Sequence, residues 1–259
     1  HLKRFSSCQD AYKRAYCGPM HTETRDQRDT IEHLPFVIRC VRDELELEKA
    51  VAIRQSAYGR HLPELAARFS RPEPSDLDGS SRVMVALAKL DGAPLGSMRF
   101  RTNQSRPLDL EQSVELPGAL RQRVLTEATR LAVSQAAVGR MVKAMLMKTM
   151  FLQCESSGVD CIVAAARNPM DRFYSWLLFE DVFPGGEFVP MAHAGMIPHR
   201  TMSCDVVATK RRWLEVGHPW YSLFFEVRHP DIELAPAATL GKEMGQNRDK
   251  ESRLSMAER

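Results

Sequence analysis

The stretch from Val124 to Glu155 constrains this chain more than any other. Its first part reads as a strand. Leu125, Glu127, Thr129, Leu131 and Val133 fall on one face, and Val124, Thr126, Ala128, Arg130 and Ala132 on the other. After a break at Ser134–Val138, Gly139 and Arg140 open a long helix. Met141, Val142, Ala144, Met145, Leu146, Met147, Met150, Phe151 and Leu152 make it apolar nearly all round, the pattern of a buried element. A strand, a tight connection and a buried helix place backbone N–H groups and a helix N-terminus at the strand's end, where an anion such as a phosphate can bind. Glu127 puts a carboxylate inside an otherwise apolar strand, which is costly unless the group is paired or used.

At 259 residues the chain can hold one large domain or two small ones. Its net charge of +3 is too small an excess to point to nucleic acid. No apolar run reaches the roughly 18 residues of a membrane span. The buried helix comes closest, and Lys143 and Lys148 interrupt it. The first residues, from His1 to Tyr16, lack the apolar core of a secretory signal. Because the chain starts at His1, its native start is expected to be missing or processed. None of the cysteines at 8, 17, 40, 154, 161 and 204 forms a C-x-x-C pair, which fits reduced thiols in a cytoplasmic protein. Cys8, Cys17 and His21 have the wrong spacing for zinc, and no metal site is expected.

Along the chain, residues 1–35 read as a flexible arm with a short helix over Gln9–Tyr16, 36–232 as the globular domain, and 233–259 as a disordered tail. Within the domain, 36–42 alternates as a strand. Asp43 then caps a helix, with Glu46 completing a capping box. Arg54 and Tyr58 stand one turn apart on that helix, whose apolar face includes Leu45. Residues 60–81 read as a loop with one helical turn. Arg82–Lys89 and Leu95–Thr102 form a hairpin around Asp91-Gly92. The excursion from Asn103 to Leu120 is long enough to suggest function. After the organising unit come a buried strand at 160–166, a helix at 168–179, and a strand at 201–208 leading to a polar segment. The fold class is α/β (α+β), with a mixed, mostly antiparallel sheet flanked by helices.

Six segments resemble the GNAT acyltransferase fold, and more closely its long-chain branch: the acyl-homoserine-lactone synthases and the N-acyl amino acid synthases. They are IRQSAY (53–58), LDGAPLGSMRFRT (90–102), LEQSVELP (110–117), TEATRLAV (126–133), FYSWLLFED (173–181) and AHAGMIPHR (192–200). TEATRLAV is similar to the E-x-[ST]-R-x-A-V signature of the first group, and AHAGMIPHR to the second. The chain departs from the family at two points. The phosphate loop Q/R-x-x-G-x-G/A reads QAAVGRM from Gln135, and Leu178 stands where the helix often has Gly before Phe179. The resemblance implies an N-acyl amino acid synthase with no bound cofactor. Such an enzyme joins a fatty acyl group to the amine of a free amino acid. The donor, a phosphopantetheine thioester on acyl carrier protein or an acyl-CoA, is a co-substrate. An acyl-homoserine-lactone synthase, a small-molecule acetyltransferase using acetyl-CoA and a non-catalytic GNAT-like binding module are the alternatives.

Attack of an amine on a thioester needs a base, and Glu127 is the candidate, since burial would raise its pKa to a useful value. It could instead be a structural partner of Arg99, Arg101 or Arg130. Glu127 and Arg130 lie three apart, so joint action requires a β-bulge, which would also make room for the thioester. Arg54, Arg99 and Arg101 are candidates for the acceptor's carboxylate, with Arg130 beside them and Tyr58 walling the site. Each arginine could equally be a solvated edge. The resemblance implies that Tyr174 protonates the leaving thiolate, and a packing tyrosine is the alternative reading. Backbone N–H groups near Val133 could polarise the carbonyl, with Arg140 and Met141 on the acyl-donor side. His193 and His199 could be bases, since histidine titrates near neutrality, but they are read as structural residues or pocket walls, held apart by their loop and without a carboxylate beside either.

Overall fold

The computed structural model describes residues 30–104 and 106–235. The arm helix at Gln9–Tyr16, the Cys8, Cys17 and His21 group, and the tail beyond 235 lie outside the described residues. In chain order the strands are β1 (Thr30–Ile31), β2 (Phe36–Cys40), β3 (Ser81–Ala88), β4 (Pro94–Thr102), β5 (Leu125–Val133), β6 (Cys161–Ala166), β7 (Glu180–Asp181), β8 (Phe188–Met191), β9 (Ile197–Asp205) and β10 (Val227–Arg228). The helices are α1 (Glu44–Gly59), α2 (Pro63–Arg68), α3 (Pro74–Leu77), α4 (Gly118–Arg121), α5 (Gly139–Ser156), α6 (Met170–Trp176), α7 (Val206–Glu215) and α8 (Tyr221–Phe225). Two 3-10 turns, Asp109–Gln112 and Ala192–Ala194, complete the set.

The main sheet runs β2-β3-β4-β5-β6-β9-β7, with β8 also on β9. Only β5 and β6 within it are parallel, so it is mixed and mostly antiparallel as expected. Alternation along β3 sends Met84 and Ala86 to the face that α5 covers, and Val83, Val85 and Leu87 to the face shared with Leu47 and Ala50 of α1. The same alternation in β4 puts Met98 and Phe100 under α5 and leaves Arg99 and Arg101 on the opposite face. Helix α5 is the spine of the larger core. Its Val142, Leu146, Met147 and Met150 are fully buried, while Met141 is 46% exposed. The interrupting lysines are absorbed. Lys148 Nζ donates to the Leu223 and Val227 carbonyls at 2.7 and 2.5 Å, and Lys143 Nζ lies 4.1 Å from the Phe173 ring centroid.

Several local readings need revision. Asp43 caps α1 by accepting from Glu46 N, but the Glu46 carboxylate takes the Arg42 N–H and Arg39, so only half of the box forms. Leu45 is 62% exposed and stays off the buried face. The strand read at 201–208 ends at Asp205, whose side chain accepts from Ala208 N and starts α7; Trp213 of that helix is fully buried. The loop at 60–81 holds two short helices, α2 and α3. Leu178, where the resemblance has glycine, adopts φ 63, a left-handed turn that suits glycine and costs leucine roughly 1–2 kcal/mol. Just outside the limits 36 and 232, Thr30 and Ile31 pair with Val227 and Arg228, and Glu233 N donates to the Ile38 carbonyl.

The contact of α5 with β4 depends on Gly96. A Cβ there would stand 2.6 Å from Val142 Cγ1 and 3.1 Å from the Ala132 carbonyl oxygen. Gly96→Ala is therefore expected to destabilise the protein by about 1–3 kcal/mol. Gly118→Ala, with nothing within 4 Å of its Cβ, should change stability by no more than about 0.5 kcal/mol. Paired thermal melts decide it; equal melting temperatures would contradict the packing described.

Candidate active site

The parallel pairing of β5 with β6 starts at Leu125 with Cys161 and stops at Ala128 with Ala164. Beyond it β5 remains bonded to β4 alone. Two residues later β5 bulges: Ser97 pairs with Ala132 and Arg99 with Thr129, so three steps of β5 match two of β4. Arg130, inside the bulge, takes φ 56, in the left-handed region that costs a non-glycine residue roughly 1–2 kcal/mol. This is the bulge that joint action of Glu127 and Arg130 requires. A cavity of about 210 Å³ occupies the opening, lined by residues 128–133 of β5, Ala165 and Ala166 at the end of β6 and Arg167 after it, Tyr58, Arg60 and His61 from α1 and its end, Tyr174 of α6, and His193 and His199.

Behind the cavity lies a buried ionic network. Arg99 donates to Glu73 at 3.0 Å, Asp76 at 3.2 Å, Asp109 at 3.1 Å and Thr129 Oγ1 at 3.2 Å. Arg101 holds the other Asp109 oxygen at 2.8 Å, and Arg54 holds Asp76 at 2.8 Å. Arg130 grips both Glu73 oxygens at 2.7 Å and donates to the His193 carbonyl at 2.9 Å. Burial alone would raise the Glu73 and Asp76 carboxyls, but the arginines outweigh it and hold both below the usual carboxylate range. Arg54, Arg99 and Arg101 are thus engaged by the protein's own carboxylates and lie off the cavity wall.

Glu127 is 1% exposed and has no arginine within ion-pair distance among the described residues. Its Oε2 accepts from Asp109 N at 2.5 Å and its Oε1 from Leu110 N at 3.2 Å, so the 103–120 excursion returns to hold the carboxylate. Burial, then the Asp109 charge, push its pKa up to about 8, against the Asp109 N–H bond and the charges of Arg99 and Arg101. His193 Nε2 stands 3.9 Å from Glu127 Oε1, and its buried Nδ1 has no hydrogen-bond partner among the described residues. Burial, then the Arg130 charge, lower the His193 pKa to about 4, which keeps the ring neutral. His199 Nδ1 is 2.7 Å from the Ile197 carbonyl, so that nitrogen carries the proton and Nε2 is left as an acceptor. The two histidines are therefore not held apart: both line one cavity, and His193 has a carboxylate beside it.

Tyr174 lines the cavity too, its hydroxyl kept protonated because burial pushes its pKa up. Tyr58 packs edge-on against Phe69, 5.0 Å between centroids, while Arg130 lies 4.4 Å from the same ring's centroid. The structure thus gathers Tyr58, Arg130, Val133, Tyr174, His193 and His199, with Glu127 behind them. Arg140 and Met141 line a separate hollow of about 500 Å³ with Leu34, Trp220 and Leu223. Sequence reasoning missed Arg60, His61 and Arg167, and also Glu73, Asp76 and Asp109. Arg167 directly follows the buried strand β6, at the carboxyl end of a parallel pair, a place where open sheets bind ligands. The acids had a signal as well: arginines on a buried strand face need counter-charges, and the flanking loops hold them.

Asp76→Asn should cost about 3–5 kcal/mol of stability, since it strands Arg54 and weakens the hold on Arg99. His193 adds a pH dependence. Its folded pKa is depressed from 6.5 to about 4, so its contribution is complete above pH 6.5 and is lost as pH falls through 4. Denaturation curves between pH 7 and 4 should show a shallower loss for His193→Gln than for the wild type. Parallel curves would mean that the ring is not buried as described.

Residues 49–201, more than half of the chain, match the family model described as N-acyl amino acid synthase FeeM. No curated protein matches by sequence. Among solved structures, FeeM, an N-acyl amino acid synthase from uncultured soil microbes, aligns at TM-score 0.53 and 14% identity, over 70% of this chain and 96% of that one. BjaI, a CoA-dependent acyl-homoserine lactone synthase solved with MTA, aligns at TM-score 0.53 and 16% identity, over 79% of this chain and 98% of that one. A GNAT-family acetyltransferase from Staphylococcus aureus Mu50 aligns at TM-score 0.44 and 11% identity, over 65% of this chain and 99% of that one. The matched span carries the ionic network, the Glu127 strand and the His193–His199 loop alike, and the chain belongs to the N-acyl amino acid synthase FeeM family, as an acyltransferase that shares the FeeM fold.

Proposed function

We propose that this cavity joins a fatty acyl group, delivered as a thioester, to the amine of a free amino acid. The observation that carries the reading is the neutral His193 on the cavity wall with buried Glu127 3.9 Å behind it. An amino acid arrives mostly as an ammonium ion and must lose a proton to attack. His193 accepts that proton. Glu127, with a pKa near 8 against about 4 for the ring, is the stronger base and takes it on. The C–N bond then forms, the C–S bond breaks, and the Tyr174 hydroxyl supplies a proton to the leaving thiolate. The β5 edge beyond Ala128 has no strand partner on the β6 side, which leaves main-chain groups near Val133 to polarise the thioester carbonyl. Arg60 fixes that end of the strand through the Val133 carbonyl at 3.1 Å.

The donor in this reading is acyl carrier protein or acyl-CoA. Arg60, His61 and Arg167 give the cavity a basic wall suited to an acidic carrier. No described carboxylate lines the cavity, which disfavours polycationic acceptors. No described helix is long and apolar enough to cross a membrane. We place the reaction in the cytoplasm, where the free thiols of Cys40, Cys154, Cys161 and Cys204 would stay reduced.

The test is mass spectrometry of products from palmitoyl carrier protein, palmitoyl-CoA or acetyl-CoA with mixed amino acids. Long-chain N-acyl amino acids are expected, at a rate that falls with added salt when the carrier protein is the donor. Glu127→Gln and His193→Ala should each slow turnover about 100- to 10,000-fold. Wild-type turnover should rise with pH through about 8 as Glu127 ionises, and the rise should be smaller in the Gln variant. Both Glu127 oxygens accept backbone N–H groups, so the amide sets donor against donor at one of them and should cost about 1–3 kcal/mol of stability. Rates are therefore compared per folded molecule. Methylthioadenosine released from S-adenosylmethionine would identify a homoserine-lactone synthase instead. Best activity with acetyl-CoA would identify a small-molecule acetyltransferase, and ligand binding without product a non-catalytic module.

A further inference from the structure

We infer that Arg167 binds the acceptor's carboxylate, and that the cavity selects zwitterions by an ordered sequence of charges along its wall. The inference rests on the acyl-transfer reading above for the direction in which the amine points. Three arginines reach the cavity: Arg60, Arg130 and Arg167. Arg130 is held at both its Nε and Nη2 by Glu73, so its charge is already met. Arg60 is tied to the Val133 carbonyl, on the side of β5 assigned to the donor. Arg167 has no carboxylate within ion-pair distance among the described residues, and its Nη1 donates to the neighbouring Asn168 carbonyl at 3.2 Å. Its remaining guanidinium donors form a fork of the kind that takes a carboxylate's two oxygens together.

The neighbours of Arg167 give the cavity a direction. Arg167 directly follows Ala166, which pairs with Arg200 next to His199, while Glu127 pairs with Val163 four residues earlier on the same strand and lies 3.9 Å from His193 Nε2. Along β6 a permanent cation therefore stands at one end and a buried carboxyl back towards the other, with the neutral His193 and His199 completing the series on the cavity wall. A zwitterion placed with its carboxylate on Arg167 directs its ammonium along this series towards the proton acceptors. The reverse placement sets carboxylate against Glu127 and ammonium against guanidinium. A diamine leaves a cation on Arg167, and an amino acid amide leaves the fork unfilled. Arg167 is thus a specificity residue, separate from the groups that move protons.

The experiment compares phenylalanine, leucine and glycine with their amides, using palmitoyl-CoA and palmitoyl carrier protein as donors. The wild type should favour the free acids. Arg167→Gln should raise KM for the acids about 10- to 100-fold with a smaller change in kcat, the size expected for a lost charged hydrogen bond, and leave KM for the amides unchanged. Arg167→Lys should recover part of the preference. Melting curves of both variants should overlay the wild type, because Arg167 is only half-buried. Equal use of acid and amide by the wild type, or an equal rise of both KM values in Arg167→Gln, overturns the assignment. Calorimetric titration without a donor tests it apart from catalysis. Free acids should bind the wild type more tightly than their amides and lose that advantage in Arg167→Gln; failure to do so overturns it. An enzyme that keeps this binding pattern yet acylates no acceptor would sink the acyl-transfer reading and leave the carboxylate site standing.

Discussion

Arg99 is the interaction on which the rest of the site depends. It is 1% exposed at the centre of Glu73, Asp76 and Asp109, which arrive from two separate loops. An unpaired guanidinium at that depth would be intolerable, so the loops cannot leave without exposing a buried charge to an apolar surround. From Arg99 the contacts run two ways round. Through Asp109 they reach the N–H groups that hold Glu127, and through Glu73 and Arg130 they reach the carbonyl of His193. The two branches meet again at the 3.9 Å approach of His193 to Glu127. The distance between His193 and Glu127 is thereby set largely by side chains off the cavity wall, Arg130 being the member of the circuit that reaches it.

Much of this was legible in the residues. Periodicity alone placed β5 and α5, because a two-residue period gives way to a buried helical run across the five residues Ser134–Val138. The bulge followed from wanting Glu127 and Arg130, three apart, on one side of a strand. What stayed hidden was pairing across long separations. Nothing local to AHAGMIPHR says that Glu127, 66 residues earlier than His193, will stand beside it. Arg54, Arg99 and Arg101 looked like ligands for a substrate carboxylate, since a sequence does not show that acids from loops will reach them first. Helix α7 escaped for a different reason. Its Lys210, Arg211 and Arg212 read as a polar connection, and the burial of Trp213 that makes it a helix is visible only against Phe151 and Phe224.

Opposed electrostatics set the resting condition of the site. Burial raises Glu127 and lowers His193, so near neutral pH both are mainly uncharged although one is an acid and the other a base. Their stability contributions then run in opposite directions. The Glu127 contribution is complete below its unfolded pKa and is lost as pH rises through about 8, while that of His193 is complete above 6.5 and is lost on acidification towards 4. Near neutral pH the pair is mainly neutral and needs no counter-ion, and the Glu127 carboxylate forms as pH rises through about 8.

The left-handed conformation of Arg130 has a consequence for how this architecture could change. One backbone irregularity both kinks β5, just past its last pair with β6, and turns the Arg130 guanidinium towards Glu73. Cleft and circuit therefore stand or fall by a single residue of strand length. A chain one residue shorter between Thr129 and Ala132 would keep every acid and arginine, recover an even ladder with β4, and let β5 zip onto β6. A deletion at this point, unlike an insertion, would therefore be expected to draw the cleft towards a closed sheet.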